Sequence, residues 1–323
     1  MNVKRTRTFI SLGLVIALML IYSLTTSDFF TWRNMSLILK DSAYTGIIAL
    51  GVAFVIIGGG IDLSVGGIVC TAAIVCARAA NIGLPGFVCV LIAVLVGAVC
   101  GAINGFIVTK LHVSEFVTTL ATGFIYFGLG MIFAFRQNGR ILAQYLTNDG
   151  FNAFGRDIGG LFYITIAFVI LAAVLFVVQT RFRFGLYTYA VGSNPKSAKM
   201  SGVNNDNIKF LGFMICGACA GLAAAFTCAI QSSAAVGLGK GMEFMAIAAC
   251  VVGGVALTGG KGDALSALLG ALFMTVVMNG LYKYGISTAW QFMLQCVIII
   301  LATTFDAQFN RMNDRRLRAL ANK

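Results

Sequence analysis

Apolar and polar residues fall in long blocks along this chain rather than in the short alternation of β-strands. Ten apolar runs of close to 20 residues stand at about 10–26, 42–58, 63–80, 87–108, 116–135, 160–178, 208–230, 243–258, 264–281 and 290–306. Runs of that length cross a hydrocarbon layer as α-helices, since a helix satisfies its own backbone polar groups where water is absent. The pattern predicts an all-α, polytopic membrane protein of about ten transmembrane helices, a single domain over residues 1–323. The first run follows Lys4, Arg5 and Arg7 as a signal peptide would. No small-residue cleavage site follows it, so it is read as an uncleaved span.

Composition sharpens this picture. Of 323 residues, 59% are apolar and 11% charged, which excludes an ordinary soluble domain. The 38 glycines are dispersed, as close helix packing in lipid requires. The net charge of +12 does not point to nucleic acid, because the basic residues sit in joints and ends rather than on one soluble face. With both termini cytoplasmic, fifteen Lys and Arg residues lie inside and eight outside, the bias that membrane topology expects. The nine cysteines fall within apolar runs. Cys216 and Cys219 form a CxxC without a second pair or a neighbouring histidine, so they are read as small apolar fillers, and no metal site is expected.

The longest polar island assigned to the cytoplasm runs from Gln179 to Lys209. Its middle has the punctuation of a short helix. Ser193 or Asn194 suits the N-cap, Pro195 the first helical position, and Gly202 the place just past the end. Lys196, Ala198, Lys199 and Ser201 fall within fewer than two turns, too short to persist in water unless something packs on it. The expectation is a cationic helix at the membrane surface that meets a partner. On the other side, the 136–160 loop and the segment Gln231 to Glu243 are each either a docking lip or a simple connector.

Several residues inside the apolar pattern carry chemistry. In the joint GGGIDLSVGG, three glycines break a helix, and Asp62 and Ser64 are placed to cap the next one. A carboxylate at bilayer depth costs about 2.5–3.5 kcal/mol, so a pathway or gating role is the alternative for Asp62. Asn104 lies within the stripe Gly97-x3-Gly101-x3-Gly105, either packed or bonded across helices. Glu243 is a further pathway candidate. His112, the only histidine, falls in a short loop and is read as solvated. Gly260-Lys261 is followed by Gly262 and lacks the upstream glycine of a phosphate-binding loop, so no nucleotide binds there. No H-E-x-x-H or G-x-S-x-G is present, and no catalytic residue is assigned. GGGID (58–62) and GGKGD (259–263) share G-G-x-x-D, the mark of an internal repeat with glycine-broken helices in both halves.

From about Leu37 to Ala302 the chain resembles the permease subunit of bacterial ABC importers of the ribose and simple-sugar class. The likeness is carried by GIIALGVAFVIIGGGIDLSVGG, AINGFIVTKLHVSEFVTTLATG, YAVGSNPKSAKMSGVNNDNIK and EFMAIAACVVGGVALTGGKGDALSALLGALF. Within the third stretch, Val191, Gly192, Asn194, Ala198, Ser201 and Gly202 form the most specific block. The resemblance implies a type II-like importer fold in the bacterial inner membrane, a dimer of one permease or of two related ones. It implies a periplasmic or lipid-anchored sugar-binding protein outside. Inside, it implies a cytoplasmic ATP-binding protein that holds ATP and magnesium and receives the Pro195–Ser201 helix. The chain itself would carry no cofactor. Met245 replaces an acidic residue common in the family, and Ser114 and Ser266 stand where proline and glycine are frequent. The N-terminal part is also similar to galactofuranose-type permeases. An ion-coupled secondary transporter of a small polar solute is the alternative from another class; it needs more ionisable residues at depth than this chain shows.

Overall fold

The computed structural model describes residues 3–134, 136–137, 140–141 and 143–321, with side-chain surroundings described at 11–134, 143–305 and 308. In order, the helices are α1 (Val3–Thr25), α2 (Trp32–Ile57), α3 (Val65–Asn81), α4 (Gly86–Lys110), α5 (Glu115–Phe133), α6 (Asp149–Asn152), α7 (Tyr163–Arg181), α8 (Arg183–Ser193), α9 (Pro195–Met200), α10 (Asn205–Gln231), α11 (Met242–Gly253), α12 (Ala264–Lys283) and α13 (Thr288–Ala321). Ten of them correspond one to one with the ten expected runs. Side-chain caps start several: Thr31 accepts from Asn34 N–H, Asn204 from Asn207 N–H, and Asp263 from Ser266 N–H. The two prolines, Pro85 and Pro195, both stand at helix starts, where the missing N–H is harmless.

Among the described residues, seven helices are long and apolar enough to cross a membrane; 11–25, α3 and α11 are shorter apolar helices. The run expected at 243–258 is corrected here. Its helix ends at Gly253, and Gly254, at φ 107°, unwinds the chain into a glycine-rich joint. Past Phe305, α13 continues as helical backbone to Ala321.

The helix α2 is the axis of the molecule. Its most apolar window is 83% buried, against 6% for the span in α13. It packs on α7, α10, α11 and α12, while α3 packs on α4, α5 and α10. The glycine stripe of α4 seats α10. A methyl group on Gly97 would overlap the Gly217 carbonyl, and one on Gly101 would overlap that of Phe213, so the backbones touch directly. Large apolar side chains such as Leu95, Ile103, Phe124, Ile132, Val169 and Ile300 point outward from the bundle, the surface a lipid belt covers.

The connections at the end of the bundle opposite the 179–209 island are built rather than loose. β1 (Arg136–Gln137) pairs with β2 (Arg140–Ile141), and β4 (Asp157–Ile158) with β5 (Leu161–Phe162). β3 (Gln144–Tyr145) pairs with β6 (Ser233–Ala234), which joins the 136–160 and 231–243 segments to each other. Asn148 donates to the carbonyls of Ala80 and Leu84, and Phe151 is fully buried beneath. Over its described residues, 136–160 is folded as these short strand pairs and the turn of α6.

Candidate functional site

The island at 179–209 folds into two helices, not the one expected. Phe182, in extended conformation, turns the chain from α7 into α8. A six-residue helix, α9, follows. Asn194 is its N-cap, accepting from Ser197 N–H at 3.1 Å, and Ser193 instead ends α8. Pro195 occupies the first position. At the far end, Ser201 donates its hydroxyl to Ser197 O and its N–H to the same carbonyl, and Gly202 takes φ 82°, which a side chain disfavours. Ala198 is the helix's buried residue, set among Val191, Val203 and Ile208. Lys196, Lys199 and Met200 face outward, and Met200 is 90% exposed. So short a helix is held from below by that apolar footing and by Asn205, whose amide donates to Pro195 O at 2.8 Å.

Immediately before α9 lies a place where backbones meet. The second glycine joint, 254–263, is held against the first, 58–64, by Gly260 N–H to Ile57 O, at the end of α2, at 2.8 Å. Gly192 is pressed onto the same carbonyl, so closely that any β-carbon there would overlap Ile57 O. A β-carbon on Gly260 would overlap Ser193. From α8, Tyr189 donates to Gly262 O at 2.6 Å; burial foremost, then the nearby Asp263, pushes this phenol up to about 12, so it stays a donor at every physiological pH. Phe184 of α8 stacks on Phe54 of α2 at 5.7 Å, and Gln179 accepts from Ala264 N–H at 2.8 Å at the head of α12. The island thus grips both joints, and α9 projects from the gripped end.

Three of the four pathway candidates come together in one buried chain. Asp62 is wholly buried. Its Oδ1 accepts from Ser64 N–H at 2.9 Å and from the Ser64 hydroxyl at 2.6 Å. The expectation that Asp62 and Ser64 cap α3 is corrected. Ser64 precedes the helix without a side-chain cap, and the Asp62 carboxyl closes a local turn instead. Ser64 in turn accepts from the Asn104 amide at 2.7 Å, and Asn104 accepts from Tyr126 O–H at 3.0 Å. The Cys216 thiol faces Asp62, so that cysteine borders the polar chain rather than filling apolar space alone. In the second glycine joint, Asp263 is a true N-cap, with Oδ1 accepting from the N–H and hydroxyl of Ser266, both at 2.9 Å. Glu243 stands apart. Its carboxylate lies against Gly66 at the start of α3, in space that a β-carbon there would occupy. Met245 packs against the apolar core.

Sequence patterns left out Glu115, Asn205, Lys209, Tyr126 and Gln179 as working residues. Glu115 Oε1 accepts from the Lys209 ammonium at 2.5 Å, and the pair is only partly exposed. It borders a cavity of about 640 Å³ lined by Gly59, His112, Glu115, Pro195 and Lys209 among others. The signal available was weak: a glutamate opening one span and a lysine opening another, 94 residues apart.

The family model described as branched-chain amino acid transport system / permease component matches residues 34–303. The ribose import permease protein of Escherichia coli (strain K12) is 34% identical over 300 residues, covering 92% of each chain. That of Bacillus subtilis (strain 168) is 34% identical over 296 residues, 91% of each. The galactose/methyl galactoside import permease protein of Escherichia coli (strain K12) is 35% identical over 300 residues, covering 86% of this chain and 88% of its own. With its matched span running from the start of α2 into α13, this multi-pass membrane protein belongs to that family of transport-system permease components.

Proposed function

We propose that the chain is the permease subunit of an ATP-driven importer of a simple sugar in the bacterial inner membrane, and that α9 is the element on which a separate ATP-binding subunit acts. The observation that carries this is the setting of α9. It offers Lys196, Lys199 and a fully presented Met200 to the outside, while its base is wedged through Gly192 against both glycine joints. Solvent-facing methionine on a pre-capped helix suits a partner groove. The relatives' ribose and galactose cargo points to a monosaccharide here. A sugar-binding protein outside would deliver that cargo to the cap formed by α6 and the β3–β6 pair. ATP and magnesium would belong to the partner, and this chain would lower no chemical barrier. Its work is alternating access, with Asp62, Ser64, Asn104 and Glu243 along or beside the pathway. Two permease subunits, identical or related, would complete the pore, with both termini in the cytoplasm.

The test is reconstitution. Vesicles holding the complex purified through a tag on this chain, with binding protein, should take up labelled D-ribose, D-galactose or D-allose only with ATP inside. In Ala198→Pro, the amide that donates to Asn194 O at 3.0 Å is lost and the helix breaks. That variant should reach the membrane yet lose uptake. Uphill uptake by the purified chain without ATP, following a proton or sodium gradient, would replace this reading with the secondary-transporter one.

A further inference from the structure

We propose that Glu115 and Lys209 are positioning residues for transport, forming an ion-paired strut that carries displacement of α9 to the buried Asp62–Ser64–Asn104–Tyr126 chain. The proposal rests on the role given to α9 above. The physical links are all short. Asn205 donates to Pro195 O, in the first turn of α9, at 2.8 Å. Lys209 is one turn further along α10, on the same face as Asn205, so the two move as a unit. Its ammonium reaches Glu115, the first residue of α5, at 2.5 Å. The other carboxylate oxygen of Glu115 sits against Gly60, 2.7 Å from where a β-carbon would stand. Two residues on from Gly60 is Asp62, which opens the buried chain through Ser64 to Asn104 on α4 and Tyr126 on α5.

The pair therefore touches the α9 end of the molecule on one side and the first glycine joint on the other. The pair joins two helices, whereas the Lys40–Asp41 pair is between neighbours in sequence. The cavity of about 640 Å³ beside the strut leaves room for α5 and the foot of α10 to approach or part without displacing packed side chains. A charge pair suits this position because it resists shear in one register and re-forms after each stroke, whereas an apolar contact would slide.

The test uses the intact complex in vesicles, reading sugar molecules imported per ATP hydrolysed with labelled D-ribose, D-galactose and D-allose. Lys209→Glu and Glu115→Lys should each lower that ratio by about tenfold, a coupling loss in the range usual for linked sites. The double swap should restore it to within about threefold of the native value, because opposite charges again meet. The milder Glu115→Gln, which keeps size and polarity near native, and Asn205→Ala, which removes only the exposed tether to Pro195 O, guard against misfolding and should lower the ratio in the same direction at unchanged membrane abundance. Native import per ATP in the single variants, or a double swap no better than either single one, overturns the strut. Absence of ATP-driven uptake in the native complex overturns the reading of α9 instead, so the two failures are told apart.

Discussion

Asn104 illustrates how a single buried amide is used when water is absent. Both ends of its side chain are engaged, donating to Ser64 and accepting from Tyr126, and none of its surface is exposed. Hydrogen bonds between helices in lipid are worth about 0.6–1.7 kcal/mol, so Tyr126→Phe should destabilise the purified protein by roughly that amount, read as a lowered midpoint of thermal unfolding. Because the Tyr126 hydroxyl also reaches Cys100 O at 2.8 Å, the effect of Tyr126→Phe should shrink but not vanish in an Asn104→Leu background, and full additivity would show that the two residues are not coupled. Gly192 is the opposite case, a residue defined by what it lacks. Gly192→Ala forces a methyl into the Ile57 carbonyl, and overpacking of this kind costs about 1–3 kcal/mol. Sugar uptake by Gly192→Ala at the native rate would show that the backbone contact is not needed.

At the scale of elements, the short helices matter more than the long ones. The six residues of α9 have no stability of their own; the Asn194 cap, the Ala198 footing and the Asn205 tether hold them. Met200 adds nothing to that footing, which frees it for a partner. Met200→Asp should leave the purified chain's melting temperature unchanged and reduce recovery of the ATP-binding subunit in co-purification. Equal recovery would move the contact elsewhere on the island. The glycine joints show why α3 and α11 are short. Each borders a joint whose backbone polar groups find partners within the protein, as Gly260 N–H finds Ile57 O.

Across the whole molecule, the arrangement has a polarity. The island and the carboxyl–lysine strut lie at one end, and the β3–β6 pair with α6 lies at the other, joined by α2 through the centre. With the island inside, Met200→Cys should react with a membrane-impermeant maleimide only in inside-out vesicles, and Tyr145→Cys, replacing a side chain 76% exposed, only in intact cells. Eight native cysteines are buried and will not compete; Cys296 is exposed but lies in the apolar stretch of α13. Labelling of both variants from the same side would reverse or break the proposed topology.

The order of apolar runs was enough to call for an all-helical membrane protein, since runs near 20 residues cross hydrocarbon only as helices that satisfy their own backbone. The cap, proline and glycine around 194–202 were enough to place α9, because those signals act within one turn. The glycine pairs at 58–60 and 259–260 announced two breaks but not that they bond to each other. What the tertiary structure alone decided was every partnership between distant residues: Asn104 with Ser64, Gly192 with Ile57, Glu115 with Lys209. Local propensity carries no record of which helix lies beside which, and in a uniformly apolar chain neither does hydropathy. Only the seating of glycine backbones at sub-side-chain distance chooses the neighbours.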